Sequence, residues 1–297
     1  MPYINDGALK LHYTDAAPSE QAPAIITLHG LSESHLYWSL TGMTDRLYQA
    51  GYRVISMDMR GHGFTEVSGP QKGYNVATLC NDIETLANQL GLEQFHLLTH
   101  ATGGIVSFQY AAQNPQRVLS LLATNTGSAT YPIDQFCEID DPAYEFPPLS
   151  EKDQKRNRAL ANAFRGAPWG NICSANRATA LHNPFLNCLP NTANPEQAFA
   201  LYFACSAIGN PENFADFIDE FYTSYDPHIA SLQKIQCPTL MLVGEHDRMF
   251  IKPAELVARH VKNCTHCIME NTGHMTAIEN PTRLAESLFD FLRAHNL

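Results

Sequence analysis

A strand, a glycine-rich turn and a helix follow one another in the segment LLTHATGGIVSFQYAAQNP, which runs from Leu97 to Pro115. An apolar run reaches a tight turn at HATGG and continues with helical spacing until Asn114-Pro115, where proline cannot extend a helix. Two adjacent glycines at the start of a helix leave no side chains to collide with a neighbouring strand. This order therefore predicts a strand buried in a sheet, with a helix packed back across it.

Similar apolar runs recur along the chain and alternate with helix-like stretches. Helical spacing is clearest over 78–90 and 281–295. Such alternation predicts an α/β fold with a mostly parallel sheet and helices on both faces. The strand-like runs are KLHYTD, AIITLHG, YRVISMD, FHLLTH, VLSLLATN, TLMLVGEHD and THCIMEN.

The alternation stops over residues 131–236, which hold helix-like pieces such as SEKDQKRNRALANAFRG but no convincing strand. An insertion of roughly 100 residues is too long for a plain loop. We predict a helical cap at 131–236, inserted between two parts of a core domain at 1–130 and 237–297.

Composition limits the classes of partner. The net charge of -11 argues against nucleic acid or an anionic membrane as the main partner. No apolar run approaches a membrane span, and the first residues lack the basic and apolar regions of a signal peptide. We therefore expect a cytoplasmic protein.

The cysteines predict no disulfide framework, because they are scattered along the chain. Cys264 and Cys267, with His266 between them, have the spacing of a metal knuckle. A structural zinc needs four ligands, and no second pair stands out. With no dinucleotide fingerprint either, we expect neither a metal nor an organic cofactor.

Five motifs occur in a fixed order: HGL at 29–31, DMRGHG at 58–63, HATGG at 100–104, GEHD at 244–247 and GHMTAIENP at 273–281. The third matches the G-x-S-x-G elbow, which places a nucleophile on a strained strand-to-helix turn. Here Ala101 stands at the serine position. The order nucleophile, acid, histidine is that of one hydrolase fold.

Together these motifs resemble the α/β-hydrolase superfamily with a helical cap, over essentially the whole chain. The resemblance implies an α/β-hydrolase fold, with a mostly parallel eight-stranded sheet flanked by helices. The elbow segment through NPQRVLSLLATNT is most similar to the esterase, enol-lactonase and C–C hydrolase branches. It implies a small ester or lactone as substrate, while the oligomeric state stays open.

The resemblance also assigns roles. His274 would be the general base and later acid, and Asp247 would orient its ring. Backbone N–H groups of Leu31 and Thr102 would form the oxyanion hole. Asn125 sits where some relatives carry an alternative acid, a role that an amide cannot fill. We expect the Thr102 side chain to point away from the site.

Four further residues are predicted to lie around the substrate. His29 would brace the oxyanion loop, and His100 would line the floor of the site. The two tryptophans, Trp38 and Trp169, are predicted to line the pocket, although aromatic residues of this kind are more often core.

Alanine has no atom that could form an acyl-enzyme, so three hypotheses remain. Ala101 is an introduced replacement of serine in an ordinary serine hydrolase. Alternatively, the chain is a natural serine-less member in which His274 and Asp247 activate water or abstract a proton. As a third possibility, it is a non-catalytic ligand binder; the retained acid and histidine make this the weakest.

Overall fold

The computed structural model describes residues 2–297, and nine strands form one sheet in this range. Their order across the sheet is β1-β2-β4-β3-β6-β7-β8-β9, and β5 pairs with β2 at one side. In chain order the strands are β1 (Tyr3–Asp6), β2 (Leu9–Ala16), β3 (Ala24–Leu28), β4 (Arg53–Met57), β5 (Glu66–Val67), β6 (Phe95–His100), β7 (Val118–Thr124), β8 (Thr239–Gly244) and β9 (Cys264–Met269).

Six neighbouring strands pair in parallel, in the order β4-β3-β6-β7-β8-β9. The antiparallel pairs are those that β2 makes with β1, β4 and β5. All residues of β3, β6 and β8 are buried, as expected for parallel strands covered on both faces. The predicted α/β-hydrolase fold is confirmed. The ninth strand is the two-residue β5, which the apolar pattern did not indicate.

Twelve α-helices complete the described part of the chain. They are α1 (Leu36–Leu40), α2 (Met43–Gln49), α3 (Val76–Gln89), α4 (Thr102–Gln113), α5 (Glu151–Phe164), α6 (Trp169–Thr179), α7 (Pro195–Ser206), α8 (Pro211–Phe221), α9 (Ile229–Leu232), α10 (Ile251–His260), α11 (Thr276–Glu279) and α12 (Pro281–Ala294). None of these helices is both long and apolar enough to cross a membrane.

The segment between β7 and β8 carries α5 to α9 and contains no strand; we call it the cap segment. Its helices start on local signals: the Ser150 side chain caps α5, and Asn194 and Asn210 each precede a proline that opens a helix. Phe164 of α5 packs against Phe214 of α8. The exact boundaries of 131 and 236 stay a prediction.

The cap segment sits on the loops that follow the parallel strands. Phe214 and Phe217 of α8 pack against the ring of His62, in the loop after β4. The Ser34 hydroxyl, in the loop after β3, donates to the Cys205 carbonyl of α7 at 2.7 Å. The cap segment therefore covers the carboxyl edge of the sheet, where ligands of open α/β folds bind.

Close packing of α4 against the sheet depends on its first glycines. A Cβ at Gly104 would stand 2.4 Å from the Thr126 side chain, and one at Gly103 would stand 2.6 Å from the Leu28 Cβ. Any side chain at these positions would push α4 away from the strands.

We expect Gly104→Ala to lower the free energy of unfolding by ~1–3 kcal/mol, the usual effect of overpacking. The matched control is Gly170→Ala, because Gly170 lies in helix α6 and a Cβ there meets no atom within 4 Å. That control should be neutral or stabilising by up to ~1 kcal/mol. Urea denaturation measures both; equal stability of the two variants would contradict the packing argument.

Candidate active site

Ala101 is the first residue after β6 and has the backbone angles φ 46° and ψ −116°. A positive φ is unusual for a residue with a Cβ and is typical of functional sites. Three hydrogen bonds hold it: its N–H donates to the Thr124 carbonyl at 3.1 Å, and its carbonyl accepts from Thr126 Oγ1 at 2.6 Å and Gly104 N at 2.9 Å. The elbow therefore has its strained form although its side chain is only a methyl group.

Asp247 and His274 form a buried pair beside the elbow. His274 Nδ1 lies 2.8 Å from Asp247 Oδ2, which also accepts from Asn125 Nδ2 at 2.8 Å. Asn125 donates to the Gly273 carbonyl as well, so it ties the acid to the histidine loop. A Cβ at Gly244 would clash with that same carbonyl at 2.1 Å; only glycine lets the two loops approach this closely.

The oxyanion loop after β3 lies directly against the elbow. A Cβ at Gly30 would stand 3.1 Å from the Ala101 Cβ, and the Gly103 N–H donates to the His29 carbonyl at 3.1 Å. Leu31 follows Gly30, and Thr102 follows Ala101. The structure thus places the two predicted oxyanion residues where these loops meet, and the ring of His274 packs against His100, the residue before Ala101. The catalytic roles of these residues stay a prediction.

Three carboxyl groups surround His274. Burial opposes the charge on its ring, yet Asp247, Glu33 and Glu279 together raise the pKa of His274 above its usual value. Glu279 accepts hydrogen bonds from the N–H groups of Gly273 and Met275, on either side of the histidine. Phe250 stacks on the ring and Phe185 of the cap segment meets it edge-on, so little water reaches the pair.

Glu33 was missed by the sequence analysis. It follows the oxyanion loop and is only 1% exposed. Its Oε2 accepts from the Gly30 N–H at 2.7 Å, and its Oε1 lies 3.6 Å from His100 Nε2. Burial raises the pKa of Glu33 to about 7. The only signal was a carboxylate close to HGL, and the flanking serines of SES indicate a solvated loop instead.

Tyr222 was missed as well. Its hydroxyl lies 2.6 Å from Thr102 Oγ1, so a residue of the cap segment reaches the elbow. The expectation that the Thr102 side chain points away from the site is wrong, because this hydroxyl turns it toward the cap segment. Burial raises the pKa of Tyr222 above its usual value, a direction that keeps its phenol neutral.

Two residues predicted to bind substrate have other partners. His29 Nδ1 meets the Gly30 carbonyl at 2.8 Å, and its Nε2 accepts from the Met59 N–H at 3.1 Å. Both ring nitrogens are thus engaged, and His29 braces the oxyanion loop. Trp38 is fully buried and its Nε1 donates to the Leu28 carbonyl, so it is a packing residue and its predicted role in substrate binding is corrected.

The remaining two predicted binding residues, Trp169 and His100, have different surroundings. Trp169 packs against Phe214 and donates to the Gly209 carbonyl at 2.8 Å, which makes it part of the cap segment's interior. His100 stacks on Tyr37 and faces His274, with ring centroids 4.8 Å apart. Of these two residues, only His100 contacts the His274 ring, and its role in substrate binding stays a prediction.

Among residues 2–297, one group has ligand atoms close enough together for a metal ion: His12, His35 and Asp58. Both imidazole Nδ1 atoms already face the Asp58 carboxylate, at 2.7 Å and 2.9 Å, and the N–H groups of His35 and Phe64 donate to it too. Burial opposes this charge, but the two histidines lower the pKa of Asp58. The cluster is a hydrogen-bonded brace for the loop after β4.

Comparison with known proteins identifies the family to which this fold and this arrangement of side chains belong. Residues 23–281 match the family model for the alpha/beta hydrolase fold. The chain therefore belongs to the α/β-hydrolase family.

Curated relatives include bifunctional epoxide hydrolase 2 from Sus scrofa, which is 26% identical over 96% of this chain but only 53% of its own length. The chain thus spans about half the length of that relative. Monoacylglycerol lipase abhd6-B from Xenopus laevis is 25% identical over 98% of this chain and 81% of its own length.

Solved structures show the same fold at low identity. A carboxylesterase of Nitrososphaera gargenis has a TM-score of 0.78 at 20% identity, covering 99% of this chain and 98% of that one. The enol-lactonase from Burkholderia xenovorans LB400 has a TM-score of 0.75 at 18% identity, covering 98% and 100%.

We expect Asp247→Asn to lower the pKa of His274, because the largest charge that raises it is removed. The raised pKa means that the imidazolium stabilises the fold below the ordinary histidine pKa, and that this contribution is lost as pH rises through the folded pKa. NMR titration of the ring protons measures the shift. Exposed Asp290→Asn is the control; an unmoved His274 in Asp247→Asn would refute the pairing.

Proposed function

We propose that the chain binds carboxylic esters or lactones in a serine-hydrolase-type site in which Ala101 stands at the nucleophile's place. The observation that carries this proposal is the elbow itself. A backbone in this sparsely populated region costs on the order of 1–3 kcal/mol, and alanine gains nothing from it. The strain makes sense for presenting a nucleophile to the His274–Asp247 pair.

With serine at position 101, the geometry supports acyl transfer. The hydroxyl attacks the carbonyl carbon while His274 accepts its proton, and Asp247 stabilises the imidazolium. The oxyanion rests on the N–H groups of Leu31 and Thr102. His274 returns its proton to the leaving alkoxide, and water then attacks the acyl-enzyme by the same route.

In the chain as it stands, that route is closed. We infer that Ala101 is a replacement of serine, which keeps the acid, the base and the oxyanion loop but lacks the attacking oxygen. Nothing in the elbow's hydrogen bonds depends on a hydroxyl at this position, because they involve backbone atoms and Thr126. Such a chain holds its substrate without acylation.

A second function has its own observation. Glu33 is a buried carboxyl group close to the elbow, in addition to the His274–Asp247 pair. A site with two separate proton-handling groups supports direct attack by water on the substrate, or proton abstraction, without a covalent intermediate. This is the natural serine-less alternative.

The deciding experiment is Ala101→Ser, assayed beside the unchanged chain on short and medium acyl esters and lactones. We expect a rate gain of up to about a million-fold, with a burst of leaving group as the acyl-enzyme accumulates. His274→Ala in the serine form should remove the gain.

The other outcomes choose between the alternatives. If serine gains nothing and His274→Ala abolishes an activity of the alanine form, direct water activation is supported. If neither form turns over any substrate but calorimetry shows binding, the protein is a ligand binder and the proposed hydrolase function is wrong.

A further inference from the structure

Glu33 and His100 lie side by side under the elbow. The point that a Cβ on Gly30 would occupy is 3.0 Å from Glu33 Oε2, 3.1 Å from the Ala101 Cβ and 3.2 Å from His100 Cδ2. Both side chains are buried, with 1% and 0% exposure. Neither side chain hydrogen-bonds to Asp247 or His274.

The hydrogen bonds of Thr124 allow an arrangement in which His100 Nε2 is bare. Thr124 Oγ1 lies 3.1 Å from the Thr99 carbonyl and 3.1 Å from His100 Nδ1. When the hydroxyl donates to the carbonyl, Oγ1 accepts from Nδ1, which then carries the ring proton. Burial lowers the pKa of His100 well below its usual value, so the ring is neutral and in this arrangement Nε2 presents a lone pair.

That lone pair points at a carboxyl oxygen. Nε2 has no hydrogen-bond partner among residues 2–297 and lies 3.6 Å from Glu33 Oε1. Two acceptors facing each other in a buried site repel. A proton on Oε1 turns this repulsion into attraction, while Oε2 still accepts from the Gly30 N–H.

We propose that His100 carries its ring proton on Nδ1 and that Glu33 is protonated in the resting site, with its proton directed at His100 Nε2. In direct hydrolysis by water, Glu33 is then the acid that protonates the leaving oxygen of the substrate while His274 acts as the base. This inference rests on the direct-hydrolysis alternative of the proposed function. It adds a catalytic residue that lies on the oxyanion loop rather than in the acid–histidine pair.

Apart from His274, the ionisable side chains around Glu33 cannot act as its counter-ion. Each of them is neutral or negatively charged, never positive, and burial raises its pKa so that it stays neutral. These side chains are Tyr37, Tyr202, Cys205 and Tyr222. An ionised Glu33 would also oppose the negative charge that develops at the neighbouring oxyanion hole.

The proton balance in direct hydrolysis is as follows. His274 Nε2 takes a proton from water, and the water oxygen bonds to the carbonyl carbon. As the bond from this carbon to the leaving oxygen breaks, that oxygen takes the proton of Glu33. The products are an acid and an alcohol, and return of the proton from His274 to Glu33 restores both groups.

Infrared spectroscopy tests the resting proton without any turnover. We expect the carbonyl stretch of a buried carboxylic acid at pH 6, absent in Glu33→Gln, and fading as pH rises through about 7. Glutamine keeps an acceptor for the Gly30 N–H. The control Glu279→Gln should keep the band, because Glu279 already accepts two backbone hydrogen bonds.

Nitrogen NMR of the imidazole rings in the unchanged chain gives an independent reading. We expect His100 as the Nδ1–H tautomer, with Nε2 accepting a hydrogen bond. A proton found on Nε2, or an infrared band unaffected by Glu33→Gln, would overturn the proposal, since an ionised Glu33 would then have its donor.

The acid role is tested by leaving group in the alanine form, where water attacks directly. Glu33→Gln should lower kcat about 100-fold for an alkyl ester, and only a few-fold for the 4-nitrophenyl ester of the same acid, whose leaving group needs no proton. Equal losses for both esters would mean that Glu33 only supports the oxyanion loop. Absence of turnover in the alanine form would refute direct hydrolysis and with it the acid role of Glu33, whereas absence of turnover in both forms would refute the hydrolytic function altogether.

Discussion

The backbone at Ala101 is the constraint around which the rest of the site is arranged. Its positive φ turns the chain sharply from β6 into α4. Positions 103 and 104 must then be glycines, because side chains there would strike Leu28 and Thr126. The strain persists because hydrogen bonds from β7 and its following loop over-determine it. The elbow is therefore a property of the sheet, and not of the residue at position 101.

Around that elbow, burial decides how each ionisable group behaves. Asp247 Oδ2 accepts from both His274 and Asn125, while Asp247 Oδ1 has no hydrogen-bond partner among residues 2–297. Glu279 accepts from two backbone N–H groups. Glu33 accepts from only one, so in a site of low dielectric its neutral form is favoured.

Much of this could be predicted from the sequence because the catalytic motifs follow strands. Residues just after β3, β6, β7 and β8 must meet at one edge of a parallel sheet, whatever the loops do. His274 follows β9, and β8 and β9 are adjacent and in parallel register. That adjacency brings Asp247 beside a histidine 27 positions further along the chain.

The side-chain positions that the sequence did not predict depend on tertiary contacts, and such contacts leave no periodic pattern in the sequence. Tyr222 reaches Thr102 across 120 positions, and only the path of the cap segment decides this. His29 lies in the loop after β3 and Trp38 in the short helix α1, and both side chains are buried and hydrogen-bonded to neighbouring backbone groups. Glu33 is in a polar-looking stretch, and it is buried only because neighbouring loops and the cap segment close over it.

The burial of several carboxyl groups around His274 needs a physical reason. Replacing buried ion pairs with apolar residues often leaves a protein equally stable or more stable. Three carboxyl groups around one imidazole, two of them tied to backbone N–H groups of neighbouring loops, are therefore poorly explained by stability alone. The proposed proton transfer, which needs groups held ready in both protonation states, would explain them. These groups lie on the segments that follow β3, β8 and β9, so each is held in place by a segment other than the elbow that carries position 101.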